Sequence, residues 1–203
     1  MNTHQTRNLF IIAGVIVAVV LSASFASATA RSNRKPATVS QADLAKNQIA
    51  RGKYLVGIGG CTDCHTPFKL GPNGPEPDQS RFLSGHPESL KMGPPPKLGE
   101  GAWMWAGAAT NTAFAGPWGI SYARNLTPDR LTGTGIWTEE IFIKTIRTGR
   151  HWGVSRPILP PMPWQNYATA TDEDLKAIFA YLQSIKPVRN EVPDPVIAPP
   201  PGA

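Results

Sequence analysis

Cys61 and Cys64 are the only cysteines in a chain of 203 residues, and His65 directly follows the second. Two thiols at this spacing reach the two vinyl groups on one edge of a porphyrin and form thioethers with them. The imidazole that comes next is then carried beneath the metal as an axial ligand. Cys61-Thr62-Asp63-Cys64-His65 is therefore read as the attachment site of one covalent haem c, with His65 on the iron. Other uses of these residues fit less well. A structural zinc site takes about four Cys or His ligands, usually in two spaced pairs, and no second pair exists in the sequence. A redox dithiol sits where a strand meets a helix, whereas Cys61 follows Gly57-Ile58-Gly59-Gly60 at the end of a helix-like run. A disulfide between residues three apart closes too small a loop to add much stability.

The second axial position decides the chemistry. An iron with one protein ligand binds gases or peroxide, and an iron with two passes electrons because no site stays open. Met162, in Pro160-Pro161-Met162-Pro163-Trp164, is the candidate: the prolines stiffen the loop that must hold a weak thioether ligand. Met92 and Met104 fall in an irregular stretch where packing is the simpler role, and His86 and His151 read as isolated loop histidines of a usually solvated kind. Ligation by His65 and Met162 keeps the iron six-coordinate in both oxidation states, and methionine favours the ferrous form and a raised potential. These residues describe a single-electron carrier rather than an enzyme. The expected donor is a dehydrogenase or quinol-oxidising complex and the expected acceptor an oxidase or another cytochrome. The alternatives are an electron-transfer subunit permanently bound to a dehydrogenase, or a gas-binding or peroxidatic haem protein.

The elements that must position these groups begin after an export signal. Met1 to Asn8 is short and polar, Leu9 to Leu21 is an unbroken apolar run, and Ala26-Ser27-Ala28 and Ala28-Thr29-Ala30 offer small-residue cleavage sites. Residues 1–30 thus read as a signal peptide, or as an N-terminal membrane anchor over residues 9–30, and 31–39 as a linker. Either way the domain is expected outside the cytoplasm, in a bacterial periplasm. The net charge of +6 falls to +5 when Arg7 leaves with the signal. A modestly basic surface suits docking to an acidic redox partner, and scattered basic residues without a Lys/Arg-rich run argue against nucleic acid.

Three helices can be placed. The first runs roughly from Gln41 to Val56, with Leu44, Ile49 and Leu55 as its apolar contacts, and delivers the chain to Cys61. A shorter one spans Glu139 to Thr148 between Thr138 and Gly149, burying Phe142 and Ile146. The last spans roughly Asp172 to Ile185 behind Thr171, with Leu175, Ile178, Phe179, Leu182 and Ile185 on one face, and Pro187 prevents its continuation. Residues 67–120, rich in Pro, Gly and Trp, show no such period and read as an irregular insertion. Residues 191–203 read as a Pro-rich tail.

The capped helix leading into the cysteine motif, the proline-flanked Met162, and Asp172-Glu173-Asp174-Leu175-Lys176-Ala177-Ile178-Phe179-Ala180-Tyr181-Leu182 together resemble a monohaem cytochrome c of the class I fold. Asn125-Leu126-Thr127-Pro128-Asp129, Thr132-Gly133-Thr134-Gly135-Ile136-Trp137 and the methionine loop are similar to the cytochrome subunits that accompany bacterial periplasmic alcohol and sugar dehydrogenases. The resemblance implies an all-α fold over residues 40–190, its helices packed around one haem, with a long Pro/Gly-rich loop insertion at about 67–120. It also implies a close crossing of the first and last helices at Gly52 and Tyr181. Pro67 is expected to accept the second imidazole proton of His65 through its carbonyl. Arg124, Trp118 and Trp137 are candidates to bond the haem propionates.

Overall fold

The computed structural model describes residues 40–98 and 102–198. The segments read as signal, anchor and linker lie outside the described residues. Among the described residues no helix is long and apolar enough to cross a membrane.

Helix α1 (Gln41–Ile58) crosses helix α5 (Asp172–Ser184), with α3 (Glu139–Thr148) against the latter. The crossing falls at Gly52: a Cβ there would lie 1.9 Å from the Ala177 carbonyl oxygen and 2.8 Å from Tyr181 Cβ. Only a residue without a side chain allows backbones to approach this closely. Arg51 adds a bidentate pair to Asp174 across the same crossing, at 2.9 and 3.2 Å. The buried residues of α1 are Gly52 and Val56, while Leu44, expected as a contact, is half exposed. The two later helices match their expected caps. Thr138 Oγ1 accepts from the Ile141 amide and Thr171 Oγ1 from the Asp174 amide, and Gly149 closes α3 in a left-handed conformation. Val56, Leu83, Phe142, Ile146, Leu175, Phe179 and Leu182 make the helical core, with the Phe142 and Phe179 rings stacked at 5.3 Å.

The expectation of an all-α fold is wrong. The region expected to be an irregular loop, 67–120, contributes strands to two antiparallel sheets. Strands β1 (Phe68–Gly71) and β2 (Gly74–Pro77) form a hairpin, and β3 (Ala106–Gly107), β4 (Ala113–Gly116), β5 (Gly119–Tyr122) and β6 (Val196–Ile197) form a four-stranded sheet in that order. Both tight hairpins are built on the same four residues, Gly-Pro-X-Gly: Gly71-Pro72-Asn73-Gly74 and Gly116-Pro117-Trp118-Gly119. Proline pre-sets the first turn position, and the closing glycines take φ of +115° and +102°. Strands of two to four residues, several of them Ala and Gly, carry too little alternation to show a period of two. The tail joins this sheet through β6, and Asn190 and Val192 before it are buried.

Candidate functional site

Short helix α2 (Cys61–His65) presents the motif. Gly60 enters it at φ +67°, a conformation natural to glycine, so α1 ends and α2 starts in a new direction within two residues. Both thiols are free, and Cys61, Cys64 and His65 line a cavity of about 810 Å³. Met162 reaches the same cavity from the opposite end of the sequence, behind Pro161. Its loop is held from both sides. Ser121 Oγ on β5 donates to the Pro160 carbonyl at 2.6 Å, and Trp164, opening helix α4 (Trp164–Tyr167), packs on Gly149. Tyr167 Oη then donates to the carbonyl of Gly59, linking the methionine loop to the entry of the cysteine motif. The structure thus brings together all four residues singled out by their chemistry.

The His65 ring is buried, and its Nδ1 lies 2.7 Å from the Arg124 carbonyl. A carbonyl only accepts, so Nδ1 carries the proton and Nε2 keeps its lone pair. Burial lowers the pKa of His65, with the Arg124 bond opposing it, and the neutral ligand form is favoured. The acceptor is therefore Arg124, not Pro67, whose carbonyl takes the Asp78 amide instead. Pro67 is close in sequence but its carbonyl is committed to leading the chain into the first hairpin. Burial pushes the Cys61 thiol up to about 11 and raises Cys64 as well. A redox dithiol needs the opposite, a thiolate stabilised near neutral pH.

The cavity is apolar over most of its wall, through Val56, Phe114, Leu126, Phe142, Ile146 and Leu182 among others, and cationic at one end. Arg124 and Arg156 both line it. Burial lowers the pKa of each, and Arg156 lowers that of Arg124 further, with only Asp194 opposing. The Arg156 guanidinium has no hydrogen bond among the described residues, whereas Arg124 Nη1 donates to the carbonyls of Val192 and Pro193. His151 stands beside them, its pKa lowered to about 4 by burial and by Arg156 and Arg124. Of the three propionate candidates, Arg124 and Trp137 line the cavity; Trp118 does not, and its buried indole N–H has no partner among the described residues. Arg156 is the residue that sequence reading missed. It lies in a loop after the short His151–Gly153 turn, with no pattern to mark it.

The other candidates resolve differently. His86 is fully buried rather than solvated: its ring bonds Thr112 Oγ1 at 2.9 Å and the Leu90 carbonyl at 3.0 Å, so both nitrogens are occupied. Met92 and Met104 are exposed and outside the cavity. Asn125 and Asp129 shape the wall. Asn125 Nδ2 donates to Thr132 Oγ1 and the Val188 carbonyl while its Oδ1 accepts from Thr127. Asp129 Oδ1 accepts from the Leu131 and Thr132 amides.

A pocket of this size lies within the range of cofactor sites, roughly 300–1,000 Å³. A flat apolar macrocycle with two carboxylates and two thiol-reactive edge groups fits these walls: thiols at one place, a neutral imidazole with a free lone pair, a thioether, and, for the carboxylates, two guanidiniums, Arg124 and Arg156, that share one acidic neighbour, Asp194. The fold and this donor set define a protein that encloses a haem.

Residues 49–186 match the family described as Cytochrome c. The chain belongs to the cytochrome c family, and membership implies a covalently bound haem c. It is 31% identical over 160 residues to the gluconate 2-dehydrogenase cytochrome c subunit of Pantoea cypripedii, covering 74% of this chain and 27% of that protein. It is 28% identical to the fructose dehydrogenase cytochrome subunit of Gluconobacter japonicus, covering 79% and 26%. To the cytochrome c subunit of the quinone alcohol dehydrogenase of Gluconobacter oxydans it is 29% identical, covering 72% and 24%. The chain spans about a quarter of the length of these relatives.

Proposed function

We propose that this chain is a one-electron carrier with a single haem c joined to Cys61 and Cys64, and with His65 and Met162 as its axial ligands. The observation that carries the proposal is that these four side chains, up to about a hundred residues apart, line one apolar cavity with a cationic end. Bound there, the haem iron supplies Fe(III)/Fe(II) chemistry at a potential raised by the thioether ligand. The chain does the rest. The Arg124 carbonyl holds the imidazole in the tautomer that offers Nε2, Ser121 and the surrounding prolines hold Met162, and the apolar wall keeps water from the site. With His65 on helix α2 and Met162 on a braced loop as the groups that would hold the iron, electron transfer would ask for little rearrangement.

The names of the relatives support a dehydrogenase as electron donor, and the chain is read as the cytochrome partner of such an enzyme, either docking transiently or bound as a subunit. The exposed Trp103 and Met104, in the 67–120 region, favour the bound form. An oxidase or another cytochrome is the proposed acceptor. The character of residues 1–30 supports a periplasmic location, free after cleavage or anchored through residues 9–30.

The test is the absorption spectrum of protein made with a haem-attachment system, compared with Met162→Ala. The oxidised parent should show the weak far-red charge-transfer band of a methionine–iron bond, and the variant should lose it. High-spin iron in the parent, binding carbon monoxide without denaturation, overturns the carrier reading. Co-purification of a dehydrogenase polypeptide decides for the subunit form, and fractionation of cells with the holoprotein in the cytoplasm overturns the localisation.

A further inference from the structure

Beyond α5, residues 188–197 stay against the cavity wall. Val188 donates its amide to Thr127 Oγ1 at 3.1 Å and accepts from Asn125 Nδ2 at 2.8 Å. Asn190, with no exposed surface, uses its side chain to capacity. Nδ2 donates to the Ser84 and His86 carbonyls at 2.7 and 2.8 Å, and Oδ1 accepts from the Glu88 amide and Arg81 Nη2 at 2.9 and 2.7 Å. Glu191, Val192, Asp194 and Pro195 then line the cavity, and Val196–Ile197 pairs with β5.

These bonds converge on one atom. The Arg124 carbonyl that accepts from His65 Nδ1 belongs to a residue whose guanidinium is tied to the Val192 and Pro193 carbonyls at 3.1 and 3.0 Å. The same carbonyl is braced from a second direction by Gly85, where a Cβ would lie 2.7 Å from the Arg124 oxygen. Gly85 also donates its amide to the His65 carbonyl at 2.8 Å. The residues on either side of Gly85, Ser84 and His86, are the two whose carbonyls Asn190 holds.

Resting on the reading of His65 as an iron ligand, we propose that residues 187–197 form a strap that positions the axial imidazole, by clamping from two directions the carbonyl that orients it. Arg124 and Asn190 are positioning residues: neither side chain touches His65, and each acts through the placement of the Arg124 carbonyl. A firmly placed acceptor fixes the ring orientation and strengthens the Nδ1–H bond, which makes the imidazole a more basic ligand and favours the ferric iron. Loosening the strap weakens that bond and raises the midpoint potential.

The full chain with haem attached is compared with Asn190→Ala, which changes no charge, and Arg124→Gln, which keeps the carbonyl and removes the guanidinium. The readouts are the exchange rate of the His65 Nδ1 proton, by NMR of the reduced protein, the midpoint potential, and thermal unfolding. Both variants are expected to speed exchange about fivefold or more, the loss of roughly one net hydrogen bond, and Asn190→Ala is expected to raise the potential. Unchanged exchange in the variants, with only a lower unfolding temperature, overturns the strap and leaves the segment a stabiliser of the fold. If Asn190→Ala does not fold, the exchange rate in Arg124→Gln decides alone. If the parent carries no haem on His65, the ligand reading has failed, and exchange in the same haem-free chain still decides whether the strap holds the ring.

Discussion

Gly52 and Gly57 lie five residues apart in α1, and replacing each by alanine is expected to have opposite effects. At Gly57 an added Cβ meets nothing within 4 Å, and the residue is exposed. Alanine there gains helix propensity and narrows the unfolded ensemble, a stabilisation of about 0.5–1 kcal/mol. At Gly52 the same methyl group would lie 1.9 Å from the Ala177 carbonyl oxygen and 2.5 Å from its carbon. A carbon–oxygen contact settles no closer than about 3.3 Å, so α1 and α5 must part by about 1.4 Å at their crossing. A gap of 0.5–1 Å already forfeits a quarter to a half of each contact's dispersion energy, and overpacking of this kind costs about 1–3 kcal/mol or more. The clash is with backbone atoms, which cannot turn aside, so the upper end of that range, about 3 kcal/mol, applies; set against the propensity gain of about 1 kcal/mol, Gly52→Ala should be destabilising by about 2 kcal/mol or more. At roughly 2–4 °C per kcal/mol for a domain of this size, Gly52→Ala should unfold at least about 4 °C below the parent and Gly57→Ala about 1–4 °C above it. The assay is thermal unfolding of the holoproteins by circular dichroism. A Gly52→Ala protein as stable as the Gly57→Ala one would refute the close crossing.

Further outcomes follow from the site's surroundings. His86 and His151 have lowered pKa values in the fold, through burial first in both cases and, for His151 at about 4, through Arg156 and Arg124 as well. The unfolded chain binds these protons at its ordinary value of about 6.5. The stability they contribute is therefore complete above about pH 6.5 and is lost as pH falls below it, for His151 down to about 4, which unfolding temperatures across that range will show and His151→Gln should lessen. Gly85→Ala places a Cβ 2.4 Å from the Ala123 carbonyl oxygen on a residue at φ +77° and should cost about 3 kcal/mol or more, seen in urea titrations as a lower midpoint at constant slope. Tyr167→Phe removes the bond to the Gly59 carbonyl and should cost about 1 kcal/mol by the same titration, with an unchanged stability counting against that link.

The three long helices were legible because they carry local instructions, which the four- and five-residue helices α4 and α2 are too short to show. Thr138 and Thr171 stand where side-chain oxygens can meet free amides, Gly149 supplies a left-handed stop, and Phe142 and Ile146 in α3 and Leu175, Phe179 and Leu182 in α5 repeat at the helical period. The Gly52 crossing was legible only through resemblance, since nothing in the composition of α1 distinguishes Gly52 from Gly57. Cys61, Cys64, His65 and Met162 could be singled out by side-chain chemistry before anything was known of their positions. The sheets were hidden for a physical reason: strands of two to four residues, several interrupted by Ala, Gly or Pro, are too short to display alternation. The repeated Gly-Pro-X-Gly was the available signal, and it specifies the turn without specifying the strands. Non-local hydrogen bonds were hidden altogether. The partner of His65 Nδ1 is 59 residues away and is a backbone carbonyl, so no property of the Arg124 side chain could have announced it.

The sheet that the sequence concealed explains how so few helical residues enclose a large cavity. Phe114 on β4 and Ser121 and Tyr122 on β5 supply part of the wall. The same strand reaches outward on both sides, through Ser121 to the methionine loop at Pro160 and through pairing with β6 to the C-terminal segment. Ala123, just beyond β5, accepts from the His86 amide, and Arg124 follows with the carbonyl that orients His65. One extended stretch, residues 119–124, therefore spaces the imidazole and the methionine loop relative to each other. A strand is suited to this because its ladder bonds resist the change in length that a loop would allow. Replacing Ser121 by alanine removes the bond to Pro160 and a longer one, 3.4 Å, to the Phe114 carbonyl within the sheet, and neither reaches His65, so it should weaken the methionine–iron band proposed for the holoprotein and leave His65 Nδ1–H exchange as it was. A change in both would mean that the two sides are coupled through the strand rather than held by it separately.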